Sequence, residues 1–186
     1  FNKMDAIVKG VSPAYARTEL SIAPQKIAET WFSAGNGYCK AVLCLLAYQL
    51  PKSFDTNGLV ILDNSNLKIA TSRNYHHFFP KAYLDSVDKS KEPNLIANIT
   101  LIDGYSNKHR IGKKPPSEYT GKFAKTNDAL ADTLQSHLIR DVACYGVNTD
   151  DYALFIQRRA KAIALALNVK LMSMTPTQAI DAEQVE

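Results

Sequence analysis

Cysteine, histidine and tryptophan are scarce: three, four and one among 186 residues. The cysteines, Cys39, Cys44 and Cys144, are odd in number and form no CxxC pair. That argues against a disulfide framework and against a structural zinc site. Cys39 and Cys44 fall in the apolar run YCKAVLCLLAYQL and read as small buried thiols. No apolar run is long enough to span a bilayer and no secretory signal is visible, so a reducing, cytoplasmic location with no membrane partner is expected. Internal repeats and low-complexity tracts are lacking, which excludes solenoids and biased linkers. Phe1 stands where an initiator Met would, and the chain is read as a fragment or processed product.

What is present is 46% hydrophobic and 22% charged, enough apolar content for one substantial domain and too little charge for disorder. The formal net charge of +4 decides little, but its distribution is uneven. Between Gly104 and Lys125 stand Lys108, Arg110, Lys113, Lys114, Lys122 and Lys125 against the single acid Glu118. A phosphate-rich ligand would need such a segment, although charge alone favours a solvated surface loop.

Periodicity divides the chain into three parts and a tail. Residues 1–56 read as helical. PQKIAETWFSA places Ile27, Trp31 and Phe32 on one face, Gly35-Asn36-Gly37 breaks it, and Tyr38–Leu50 reads as a central buried helix closed by Pro51. Residues 57–125 are strand-rich. GLVILDNSNLKIA reads as strand–turn–strand, KAYLDSVDKSK as a short helix, and NLIANITLID as a strand. Residues 126–174 return to helix, with Leu130, Leu134 and Leu138 on one stripe and Tyr152, Phe155, Ile156, Ile163 and Leu167 on another. Arg158, Arg159 and Lys161 fall on the opposite side, as a solvated face would. Residues 175–186 are expected to fray. The fold class expected is α+β, a small strand-rich centre embedded between helical segments.

That centre carries the polar residues with chemistry to offer. In YHHFFP two of the four histidines, His76 and His77, are adjacent. Imidazole suits two tasks, ligating a metal and taking a proton near neutral pH. Neighbours on a regular strand point to opposite faces, so one site can use both only if the strand ends or distorts. Asn98 follows in NLIANITLID, and nine residues later Asn107 offers a neutral oxygen ligand beside glycines and bases.

His-His-x-x-Pro, then Ala97-Asn98, then Asn107 followed by bases, resembles the HNH (ββα-metal) nuclease motif. The Asn98–Asn107 spacing resembles that of HNH domains in RNA-guided nucleases, and the doubled His resembles the colicin-type DNases. HHFFPKAYL, LIANITLID, NKHRIGKKPPSEY, SHLI and DDYALFIQRRAKAIA together resemble the C-terminal nuclease region of GmrSD-type restriction endonucleases. The likeness spans about residues 75–168. It implies a ββα-metal centre over 57–125 and a divalent-metal-dependent DNA endonuclease acting in restriction or phage defence. It also implies a separate N-terminal regulatory or recognition domain as partner. With one such centre per chain, cutting both strands would call for a homodimer or for two successive nicks.

The resemblance assigns roles residue by residue. His77 becomes the general base, and Asn98 a support that orients the His77 segment through side-chain to backbone hydrogen bonds. His76 and Asn107 become the metal ligands, with waters and phosphate oxygens completing the shell. Mg²⁺ is the first expectation, but a neutral His at position 76 leaves Mn²⁺, Ni²⁺ or Zn²⁺ open. Lys108, Arg110, Lys113 and Lys114 are the phosphate-contact candidates, with Lys81 a weaker one. His109 receives no role, and His137 reads as a packing or capping histidine. Tyr105 and Tyr119 are assigned to surface packing, with stacking on a nucleotide the sharper alternative. Phe78 and Phe79 read as core residues anchoring the strand. Two further readings stand beside the nuclease. One is a nucleic-acid-binding module that does not cut, and the other is a helical scaffold with a structural metal.

Overall fold

A computed structural model describes residues 2–11, 21–62, 75–104 and 106–172. Helices α1 (Asn2–Val8), α2 (Pro24–Glu29) and α3 (Gly37–Tyr48) come first. Pro24 opens α2, where its missing N–H costs nothing. Asn36 caps α3 by accepting from the amides of Tyr38 (2.8 Å) and Cys39 (3.3 Å), satisfying two groups the helix cannot. The α3 face bearing Cys39, Val42, Leu43, Leu45 and Leu46 is buried.

Two expectations for this region need correction. Cys44 is exposed, because α3 sits at the edge of the core instead of its centre. Trp31 is 55% exposed. Helix α2 stops at Glu29, and the chain then extends so that Trp31 forms an antiparallel bridge with Leu95. Phe32 donates its amide to the Asn94 carbonyl (2.6 Å), and the Thr30 carbonyl takes the Ile96 amide (2.8 Å). A helical stripe cannot be continued once the backbone leaves the helix.

The sheet is an antiparallel pair, β1 (Tyr75–His77) with β2 (Ile99–Leu101), in the register Tyr75↔Leu101, His76↔Thr100, His77↔Ile99. Between them lie α4 (Lys81–Val87) and a 3-10 turn, Ile96–Asn98. A π-helical turn, Ser106–Ile111, follows β2. Asp103 opens it by accepting from the Ser106 amide (2.7 Å), and Gly112 closes it at φ +58, a conformation glycine adopts without penalty. Then come α5 (Pro116–Phe123), α6 (Leu130–Gln135) and α7 (Tyr152–Met172). Helix α6 is shorter than its leucine stripe. Leu138 has φ +57 and is reached through a turn, yet it remains buried.

The core is aromatic where the hairpin meets α7. Phe78 stacks on Phe155 with centroids 4.7 Å apart and planes 10° off parallel. Phe54, Phe79, Tyr119 and Phe123 close around them, mostly edge-on, as ring quadrupoles prefer. Tyr152, Phe155, Ile156, Ile163 and Leu167 are all buried, as the α7 stripe requires. Arg159 on the same helix is not solvated but completely buried, and Tyr119 is core, not surface.

The described residues are therefore α+β, a small antiparallel pair set among helices. No helix among them is long and apolar enough to cross a membrane. The turn expected at DNSN, Tyr105 and the terminal segment 175–186 lie outside the described residues.

Candidate functional site

The run HHFFP makes two demands that a regular strand cannot meet together. His76 and His77 keep the ladder, on opposite faces with Thr100 and Ile99 as their partners. Phe78 and Phe79 are both buried, so the backbone must leave the sheet between them. Leaving strands polar backbone groups in the interior, where an unpaired amide is costly. The Asn98 carbonyl takes the Phe78 amide at 2.8 Å. The Asn98 side chain, fully buried, accepts from the Phe79 amide (2.8 Å) and donates to the carbonyls of Phe79 (3.0 Å) and Pro93 (2.9 Å). Tyr119 donates its hydroxyl to the Phe78 carbonyl (2.7 Å), and burial pushes that phenol well above its ordinary range. One asparagine thus locks the two residues that follow the histidine pair.

His77 is half-buried, and its Nε2 lies 2.8 Å from Asn94 Oδ1. An amide oxygen only accepts, so Nε2 carries the proton and Nδ1 holds the lone pair. Asn94 is itself fixed. Its amide donates to Glu92 Oε1 (2.8 Å), and its carbonyl receives the Phe32 amide described above. Glu92 is held in turn by Tyr152, whose hydroxyl donates to the Glu92 carbonyl (2.6 Å).

On the other face, His76 is half-buried opposite Thr100. The Thr100 hydroxyl lies 2.8 Å from His137 Nδ1, and His137 Nε2 lies 2.8 Å from the Lys52 carbonyl. The carbonyl can only accept, so His137 is protonated at Nε2 and receives the Thr100 hydroxyl at Nδ1. Burial holds the His137 pKa down at about 4; its bond to the Lys52 carbonyl pulls it up and the Arg159 charge presses it further down. His137 is a buried, neutral, fully bonded residue. Phe54 packs edge-on against it at 4.9 Å.

Asn107 sits half-buried in the π-helical turn. Its amide donates to the Asp103 carbonyl (3.2 Å) and its carbonyl accepts from Gly112 (2.8 Å). Its side-chain amide oxygen is the kind of neutral group that can bind a hard cation. Among the described residues no group of three or more His, Cys, Asp or Glu side chains is placed to hold a metal ion.

The basic cluster divides. Lys108 and Lys113 are exposed. Arg110 pairs with Asp55 at 2.8 Å and lies over the Phe123 ring at 5.7 Å, so its charge is largely offset within the fold. Lys114 donates to the Arg110 carbonyl (2.6 Å), closing the π-helical turn. His109 is exposed, as is Lys81 at the start of α4.

Asn94, Thr100 and Arg159 were not singled out by sequence. Asn94 is one of two asparagines spaced by four in NLIAN, but only the folded chain reveals that its side chain meets His77. No family model, curated protein or solved structure matches the chain.

Proposed function

We propose that this chain is a divalent-metal-dependent endonuclease domain that hydrolyses DNA phosphodiester bonds at a ββα-type centre, with His77 as general base. The observation that carries the reading is the double restraint on His77. Asn94 fixes the ring and leaves Nδ1 as the proton acceptor, while Asn98 fixes the backbone directly after it. A general base needs both a defined lone pair and a defined position. The order hairpin, then helical turn bearing Asn107, is what such a centre would need, and it supports the assignment.

His77 Nδ1 takes the proton from the attacking water. Asn94 stabilises the imidazolium that forms, because its amide oxygen faces the Nε2–H. His76 and Asn107 would hold the cation, an imidazole nitrogen and an amide oxygen with phosphate oxygens and waters completing the shell. A divalent ion bound there supplies polarisation of the scissile phosphate and stabilisation of the leaving 3′ oxygen. This neutral ligand pair brings no carboxylate, so Mn²⁺, Ni²⁺ and Zn²⁺ join Mg²⁺ as ions to test. Lys108 and Lys113, the exposed members of the basic cluster, contact backbone phosphates.

The test is cleavage of supercoiled plasmid, unmodified and modified, with EDTA, Mg²⁺, Mn²⁺, Ni²⁺ or Zn²⁺. Metal-dependent nicking by the wild type, reduced about 10²–10⁴-fold in a folded His77→Ala variant, is expected. Equal nicking by the variant would remove His77 from the chemistry. DNA binding without cleavage under every condition would leave a binding module.

A further inference from the structure

Arg159 is completely buried, and no carboxylate pairs with it among the described residues. Its Nη1 donates to the Ala97 carbonyl at 2.9 Å and its Nε to the His137 carbonyl at 3.3 Å. Nη2 is buried with no hydrogen-bond partner, and the guanidinium lies 5.8 Å from the centre of the Phe155 ring. A buried charge satisfied only by neutral carbonyls is an expensive way to fill space, and an apolar side chain of similar volume commonly does as well or better for stability. The two carbonyls show what the charge is connected to.

Ala97 immediately precedes Asn98, whose side chain clamps Phe79 beside His77. His137 accepts the hydroxyl of Thr100, the cross-strand partner of His76. The 3-10 turn at Ile96–Asn98 and the turn after α6 both leave regular structure, so neither carbonyl is taken by the backbone bonds around it. A planar fork can reach both at once, which a single ammonium cannot do in the same geometry.

We propose that Arg159 is a positioning residue that holds the supports of both hairpin histidines in one arrangement, Asn98 for His77 and His137–Thr100 for His76. This rests on the nuclease reading only for its consequence in catalysis; the positioning itself is independent of what the site does. Arg159 also acts through charge. The groups facing His137 are Thr100, the Lys52 carbonyl, the Phe54 ring and the Arg159 guanidinium, and the guanidinium is the cation among them. Burial is what chiefly keeps His137 neutral and able to accept from Thr100, and the fixed positive charge adds to it.

The experiment uses the histidines as reporters. The chain has four, so long-range ¹H–¹⁵N spectra of the imidazoles are assignable by His→Gln variants. In the wild type His77 and His137 are expected as Nε2–H tautomers. Arg159→Met, of similar volume, is expected to fold with a thermal midpoint within a few degrees of wild type or above it. Its His77 signals shift toward the mixed tautomer of free imidazole, and the His137 signals move as well. Where the wild type cleaves plasmid, the variant's kcat falls at least tenfold while DNA affinity stays within twofold. A folded Arg159→Met with wild-type imidazole signals would overturn the proposal. If that variant does not fold, Arg159→Lys decides, since it keeps the cation but cannot bridge both carbonyls. Wild-type His77 signals in the Lys variant overturn the proposal, and shifted His77 signals uphold it. A wild type that binds but never cuts DNA would end the nuclease reading while the imidazole spectra still decide this one.

Discussion

Removing the Asn98 side chain tests the centre of the site without reference to its activity. Asn98→Ala deletes three hydrogen bonds, at 2.8, 3.0 and 2.9 Å, and strands the Phe79 N–H, the Phe79 carbonyl and the Pro93 carbonyl in a fully buried position. Each orphaned group costs about 1–3 kcal/mol, and the three share one cavity and do not add fully, so the loss is about 3–6 kcal/mol. That is a large part of the ~5–15 kcal/mol that holds a domain of this size together. Urea unfolding followed by circular dichroism measures it. A loss below about 1 kcal/mol would mean that water or a backbone shift replaces the amide, and the clamp would then be incidental.

Asn98→Asp sharpens the test because it changes atoms without changing shape. The carboxylate keeps the acceptor for the Phe79 amide but turns an oxygen toward two carbonyl oxygens. Burial and these two carbonyls both disfavour the ionised form, so the folded pKa rises above the ordinary ~3.9. A protonated Asp retains one donor. The unfolded chain releases its proton near pH 4 while the folded chain still holds it, so the variant loses stability relative to wild type as pH rises above about 4, until the folded group ionises. Unfolding at pH 5 and pH 8, each compared with wild type, should show the larger deficit at pH 8. A deficit that does not change with pH would contradict the assigned donors.

Other consequences can be checked in the same way. His137 has a folded pKa of about 4 against an ordinary 6.5, so the unfolded chain binds a proton first as pH falls. Stability should drop by roughly 3 kcal/mol between about pH 6.5 and pH 4 and level off below that, and this slope should be missing from His137→Gln. The exposed carboxylates of Asp88, Glu118 and Asp141, held below their ordinary values mainly by hydrogen bonds, are common to both proteins. Under the nuclease reading, His76→Ala should raise the metal concentration needed for half-maximal cleavage at least tenfold and be partly rescued by excess Mn²⁺. His77→Ala should not be rescued by any metal. Rescue of both, or of neither, would refute the division of roles.

What the sequence made legible was local. Phe78 and Phe79 are core residues because two consecutive aromatics before a proline have few other uses, and they are buried at 1% and 0% exposure. The α7 stripe follows its period over 21 residues, long enough for the pattern to outweigh noise. Asn98 makes side-chain to backbone bonds of the kind the resemblance implied. What escaped depends on distant partners. Trp31 leaves its helical stripe because the 94–96 segment offers the backbone an alternative set of hydrogen bonds. Arg159 reads as a surface charge from its neighbours Arg158 and Lys161. Nothing in that helix tells that carbonyls from two remote turns will receive it. Arg110 reads as a phosphate contact because Asp55, its partner, lies far away in sequence.

The regular register of β1 bears on the histidine pair itself. Sequence alone required a strand end or distortion if both rings were to meet in one site, but His76 and His77 both pair in step with β2. Their side chains therefore leave the hairpin on opposite faces. A single cation between the two imidazoles is incompatible with that geometry. The two faces are also supported separately, His77 by Asn94 and the His76 side by Thr100 and His137. Under the nuclease reading the two supports serve two tasks, His77 as the base and His76 as a metal ligand. The distortion that HHFFP demands comes one residue later, at Phe78–Phe79, where Asn98 absorbs it. His77 is the last residue of β1, so the strand end that a shared site requires falls directly after the pair, where the clamp fixes it.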